Sequence, residues 1–91
     1  MNKIFKFKTQ EQLDKFDLIY NYSGVLSTEG SVWIYGEGTP KWFSIQYCGD
    51  RWVMNHKVGS KWENVNFYPV NYDELTAFIN ERINTVKSKE S

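Results

Sequence analysis

The residues able to do chemistry in this chain are few. One His and one Cys occur among 91 residues. A thiolate nucleophile needs a base within hydrogen-bond reach, so Cys48 with His56 is the first pair to weigh. His56 with Glu63 is the second, as an acid–base couple. With one His and one Cys, a typical zinc site cannot be assembled. Gly36-Glu37-Gly38 lacks the third glycine of a phosphate-binding loop. The sequence therefore predicts a protein that is not an enzyme and carries no cofactor or metal.

Aromatic residues offer a different chemistry. Four Trp, six Tyr and six Phe make 18% of the chain. Trp and Tyr give rigid apolar area with a polar handle, the composition of contact surfaces. Whether they are free for contact depends on the elements that position them.

Lys3-Ile4-Phe5-Lys6-Phe7-Lys8 alternates, which predicts a strand with Phe5 and Phe7 on one face, added to a sheet edge. Its lysines would blunt that edge. Thr9-Gln10-Glu11-Gln12 fits a capping box. Leu13, Phe16 and either Ile19 or Tyr20 follow at helical spacing, with 17–22 readable as extended chain instead. Residues 21–30 read as loop. Strands are expected over 31–36, 41–48, 51–58 and 61–68. A second helix, about 72 to 86, is capped by Asn71 with Glu74, stapled by Val70 and Leu75, and followed by a polar tail over 87–91.

The connections set the register. Gly49-Asp50 and Gly59-Ser60 each fit a two-residue hairpin turn with Gly first, and Glu37-Gly38-Thr39-Pro40 fits a longer one. Two-residue loops pair Cys48 with Arg51 and Val58 with Lys61. Stepping back places Tyr47 opposite Trp52, Ile45 opposite Met54, Phe43 opposite His56, Met54 opposite Val65 and Trp52 opposite Phe67. With Gly36 and Lys41 flanking the first turn, Val32 faces Ile45 and Ile34 faces Phe43. Turns chosen from turn residues alone thus give one face that is almost wholly apolar: Val32, Ile34, Phe43, Ile45, Tyr47, Trp52, Met54, Val65 and Phe67. A one-residue slip would invert every side chain, so this agreement carries weight. The expected fold is α+β: a two-layer domain, residues 1–91, with a four-stranded antiparallel meander, the N-terminal edge strand, and two helices packed on the apolar face. His56 and Glu63 fall opposite each other near its rim, a pair that is more often a hydrogen bond or ion pair than an acid–base couple. Cys48 falls on the opposite face, out of hydrogen-bond reach of His56.

The opposite face reads Tyr35, Trp42, Lys57, Trp62 in one row. The next reads Trp33, Ser44, Asn55, Asn64, and the third Ser31, Gln46, Val53, Asn66, with Tyr68 beyond. Solvated sheet faces are usually polar. Two structural readings compete with a contact surface: cross-strand pairing for stability alone, and coverage by residues 9–30. A surface of Trp33, Tyr35, Trp42, Lys57 and Trp62, with Gln46, Asn55 and Asn64 adding hydrogen bonds, predicts association with a protein partner or a second copy. Lys57 sits between two indoles, positioned for a cation–π contact. Nucleotide or single-stranded nucleic acid, stacked on the same indoles, is the alternative.

Charge weighs against a long nucleic-acid ligand. Lys+Arg and Asp+Glu are both 11, a formal net charge of zero, whereas phosphate binding usually leaves a basic excess. No run approaches the roughly 18 apolar residues of a membrane span. The start of the chain has no uninterrupted apolar stretch, and Cys48 has no internal partner, which predicts a cytoplasmic setting. Nine Lys against two Arg, with eight Asn, is the usage of an AT-rich coding sequence. It suggests a phage or bacterial accessory protein that works by binding and blocking something larger, an inhibitor.

Overall fold

The computed structural model describes residues 3–23, 31–35 and 39–90. Two helices, α1 (Gln10–Tyr20) and α2 (Tyr72–Glu90), flank an open antiparallel sheet in the order β1-β2-β3-β4-β5. Its strands are β1 (Tyr22–Ser23), β2 (Ser31–Ile34), β3 (Phe43–Tyr47), β4 (Trp52–Val58) and β5 (Lys61–Phe67). The four long strands form the expected α+β meander, and the register agrees residue by residue. Val32 faces Ile45, Phe43 faces His56, Tyr47 faces Trp52, and Trp52 faces Phe67.

Two glycines hold that register. Gly49 (φ 91°) and Gly59 (φ 62°) take left-handed backbone at the first turn position, which a residue with a Cβ adopts only under strain. Arg51 and Cys48 close the first hairpin through a 2.8 Å bond from Cys48 N–H to Arg51 C=O. The turn expected over 37–40 and the loop expected over 21–30 fall mostly on residues outside those described; of the loop, Asn21 instead caps α1 and Tyr22–Ser23 form β1.

The caps form as their residue types dictate. Thr9 Oγ1 accepts from Gln12 N–H (3.2 Å), and Gln12 Oε1 accepts from Lys8 N–H (2.8 Å). Asn71 Oδ1 accepts from Glu74 N–H at 2.8 Å, and Glu74 reaches back to Val70 N–H at 3.2 Å. Each pair satisfies amides that a helix start leaves without partners. Leu75 of the expected staple is buried and Val70 is exposed. Helix α1 continues to Tyr20, and Asn21 caps it with left-handed backbone (φ 50°). The choice between Ile19 and Tyr20 resolves to Tyr20. It is buried, and its hydroxyl donates to Asn80 Oδ1 at 2.8 Å and approaches the Thr76 carbonyl at 3.2 Å, tying α1 to α2.

Three boundaries differ from the sequence expectation. Residues 3–8 form no strand. Phe5 N–H bonds Pro69 C=O (2.6 Å) and Phe5 C=O accepts from Trp52 Nε1 (2.8 Å), so the segment is held by single bonds rather than a ladder. Its alternation still works: Phe7 is buried and Phe5 half-buried, with rings 5.0 Å apart. The sheet edge is taken instead by Tyr22–Ser23, which pairs with Ile34 and Trp33. Helix α2 runs past 86 to Glu90, with Lys87 and Lys89 in its last turn where cations favour the helix dipole.

The core lies between the sheet's apolar face and the helices. Leu13, Phe16 and Tyr20 from α1 and Leu75, Ile79 and Ile83 from α2 meet Val32, Ile34, Phe43, Ile45, Trp52, Met54 and Phe67. Trp52 is its centre: fully buried, it touches the rings of Phe7 (5.9 Å), Tyr47 (5.4 Å) and Phe67 (6.3 Å). No described helix is long and apolar enough to cross a membrane.

Candidate interaction face

The other side of the sheet carries the residues singled out from the sequence. Strand alternation puts Trp33, Ser44, Asn55 and Asn64 on one cross-strand row of this face. Trp62 faces Lys57, and Lys57 N–H bonds the Trp42 carbonyl (3.1 Å), so Trp42, Lys57 and Trp62 form the adjacent row.

The three indoles meet. Ring centroids are 6.2 Å apart for Trp33–Trp42, 6.0 Å for Trp33–Trp62 and 6.3 Å for Trp42–Trp62. Trp33 and Trp62 stand on strands separated by three strand spacings, roughly 14 Å of backbone. Their rings close that distance by leaning over the row between them. Ser44 beneath is buried despite lying on the open face, Asn55 is half-buried, and Asn55 Nδ2 donates to Ser44 Oγ at 3.4 Å. The small side chain at 44 leaves the room that the indoles occupy.

The cluster remains accessible. Trp62 is 50% exposed, Trp42 41%, Trp33 38% and Tyr35 37%. Gln46 and Asn64 are exposed, and Lys57 is half-buried. Helix α1 lies against the apolar face, so residues 9–20 do not cover the indoles; 24–30 lie outside the described residues. Seven of the eight selected residues share this face by pairing or ring contact; Tyr35 follows the end of β2 and has no strand partner among the described residues. They do not join equally: the ring cluster unites Trp33, Trp42 and Trp62, while Tyr35 makes no ring contact with it among the described residues.

Two features depart from expectation. The cation over an indole is Lys41, its Nζ 5.4 Å from the Trp42 centroid, and not Lys57. Alternation along the expected strand 41–48 sets Lys41 on the apolar side, but β3 begins at Phe43, and Lys41, ahead of it, lies over the Trp42 ring. Ser44, polar by type, matters here for its smallness: on the row between Trp33 and the other indoles, it is the sequence signal for their meeting.

The catalytic candidates are kept apart. Cys48 closes the β3–β4 turn, while His56 is five residues up β4 from Arg51, roughly 17 Å of strand away. His56 is not on a rim: it is fully buried and stacked on Phe43 (5.9 Å, 20°). Its Nε2 is 3.5 Å from Glu63 Oε1, and neither ring nitrogen has a hydrogen-bond partner among the described residues. Burial pushes its pKa below the usual value of 6.5, and the positive charges of Arg82 and Lys89 on α2 push the same way; Glu63 opposes them. This environment favours a neutral imidazole packed as a core ring. Among the described residues no three His, Cys, Asp or Glu side chains converge as metal ligands. Comparison of the chain with protein-family models, curated proteins and solved structures found no match.

Proposed function

We propose that this protein acts by stoichiometric association with a protein partner through the open sheet face. Trp33, Tyr35, Trp42 and Trp62 supply the apolar contact, and Lys57, Gln46, Asn55 and Asn64 supply hydrogen bonds. The observation that carries this reading is the indole cluster: three Trp pack on one another yet each keeps more than a third of its surface open. Folding alone would be served by smaller or more polar side chains on a solvated face. Pre-packed aromatic rings lose little freedom on binding, which is the property of interface anchors. The supply of amides and the scarcity of charge at the centre also suit an interface core.

Base stacking fits less well. The ring planes are inclined at 81°, 63° and 68° to one another, so no two are parallel walls between which a base could slide. The role of an inhibitory accessory protein is compatible with a small chain built around one contact face.

The test compares immobilised wild type with the Trp42→Ala/Trp62→Ala double variant in capture from a source-cell lysate. Circular dichroism and melting establish first that the variant is folded. A protein retained by wild type and lost by the folded variant is the expected result. Identical retention by both, or collapse of the variant's fold, sinks the reading. Sedimentation of wild type alone identifies a second copy as the partner if a dimer forms that the variant lacks. Indole fluorescence quenched by micromolar nucleotide would move the function to stacking.

A further inference from the structure

Strand β5 ends the sheet: among the described residues no strand pairs with its outer side. It is seven residues long and contains no proline, so it lacks the devices that usually blunt an edge beyond the single charges of Lys61 and Glu63. Its outward backbone groups follow from the ladder. Lys57 N–H points to the Trp42 carbonyl, just ahead of β3 and so on the side away from β5. The Lys57–Trp62 pair is therefore one of the non-hydrogen-bonded pairs of β4–β5, and Trp62, Asn64 and Asn66 turn their N–H and C=O groups away from β4.

A cleft lies directly beside this edge. Helix α2 packs over β4 and leaves a space of about 170 Å³ between itself and β5, with Met54, Val65, Phe67 and Phe78 as its apolar side and Asn66, Glu81, Arg82 and Thr85 as its polar side. Phe78 packs against Phe67, centroids 5.6 Å apart and planes tilted at 52°, to wall one side, and is itself 39% exposed. A cavity of roughly 150 Å³ holds a benzene ring, so this space has room for one large side chain, with Phe67 and Phe78 to receive its apolar part.

We propose that β5 and the β5–α2 cleft together bind an extended peptide segment of a protein partner. The segment adds a sixth strand to the sheet and places one phenyl- or leucyl-sized side chain in the cleft. Backbone pairing at Trp62, Asn64 and Asn66 supplies affinity, and the cleft selects the residue. A second copy of this chain fits poorly. The two-fold register that pairs all seven residues centres on Asn64 and sets Glu63 of the copy opposite Val65 and Lys61 opposite Phe67, charged side chains against apolar ones. This surface is distinct from the indole cluster, because the cleft side chains lie on the opposite side of the sheet.

The probe is a synthetic alternating Thr/Val peptide of about eight residues, strand length, with one central Phe. It is titrated into the isotope-labelled full chain, with amide shifts and hydrogen exchange read by NMR. Expected are shifts confined to 61–67 and 78–85, slowed exchange at the Trp62, Asn64 and Asn66 amides, and at least tenfold weaker binding when the peptide's Phe is replaced by Asp. Thr85→Arg, which fills the cleft mouth from an already folded helix, should weaken binding at least tenfold. Asn64→Pro, a substitution edge strands accept where the N–H faces solvent, should do the same. The inference is overturned if millimolar peptide moves none of these amides, or if both variants bind as wild type. It is equally overturned if binding survives Thr85→Arg but is lost in Trp42→Ala, which would place the peptide on the open face. A concentration-dependent dimer with β5 amides protected in the absence of peptide would replace the partner peptide with a second copy.

Discussion

The two faces of the sheet use tryptophan in opposite ways. On the apolar face, Trp52 is fully buried, its indole N–H donates to the Phe5 carbonyl, and Phe7, Tyr47 and Phe67 surround its ring. On the open face, Trp33, Trp42 and Trp62 also have ring partners, but those partners are one another, and water reaches all three. Ring–ring contact alone does not distinguish a core from a surface. What distinguishes them is whether other elements close over the rings. The helices close over Trp52; no described element closes over the other three.

That contrast can be broken most sharply at Trp52. Trp52→Ala removes the largest core side chain and leaves the Phe5 carbonyl without its donor, so a loss of about 3–5 kcal/mol is expected. For a domain of this size, which has about 5–15 kcal/mol in all, urea unfolding should show a much lower midpoint or no folded baseline. Next in size is Trp42→Ala. It deletes two half-exposed ring contacts, worth about 0.5–2 kcal/mol together on the scale of cross-strand pairs, and should leave a cooperative transition. A loss as large as that of Trp52→Ala would make the open face a second core and end the comparison.

The third test concerns the buried ring beside Phe43. The His56 pKa is lowered in the folded chain, chiefly by burial. Above pH 6.5 the imidazole is neutral in both states and contributes no pH dependence. As pH falls below that value the unfolded chain takes up the proton first, so stability falls until the folded pKa is passed. Urea midpoints at pH 7.5 and 5.0 should therefore separate more for wild type than for His56→Gln. Equal separation would mean that the folded ring accepts its proton as readily as the unfolded one does.

Much of this arrangement is legible in the sequence because short turns are unforgiving. Gly49-Asp50 and Gly59-Ser60 allow one tight pairing each, and the pleat then assigns every side chain from Trp52 to Phe67 to a face. Alternation could not say whether Lys3 to Lys8 joins the sheet, because a period of two describes an extended chain whether or not it has a neighbour. Nor could it give the burial of His56, which depends on α2 reaching over the end of β4. Phe78 shows the same limit: its helical spacing marks it as core, yet it packs on Phe67 at the sheet's edge and stays partly open. The face that Trp33 and Trp62 share follows from counting residues. Their meeting across four strands does not, because the lean of a side chain is decided by the volumes of Ser44 and Asn55 beneath it.

The bond from Tyr20 to Asn80 spans 60 positions of sequence, whereas the β3–β4 and β4–β5 ladders join neighbours through two-residue loops. Loop-closure entropy favours the near contacts early and the distant one late. The meander should therefore organise first, with α1 docking onto an assembled sheet and α2. A weakened Tyr20 anchor would then act mainly on how fast the native state comes apart, and little on how fast it forms.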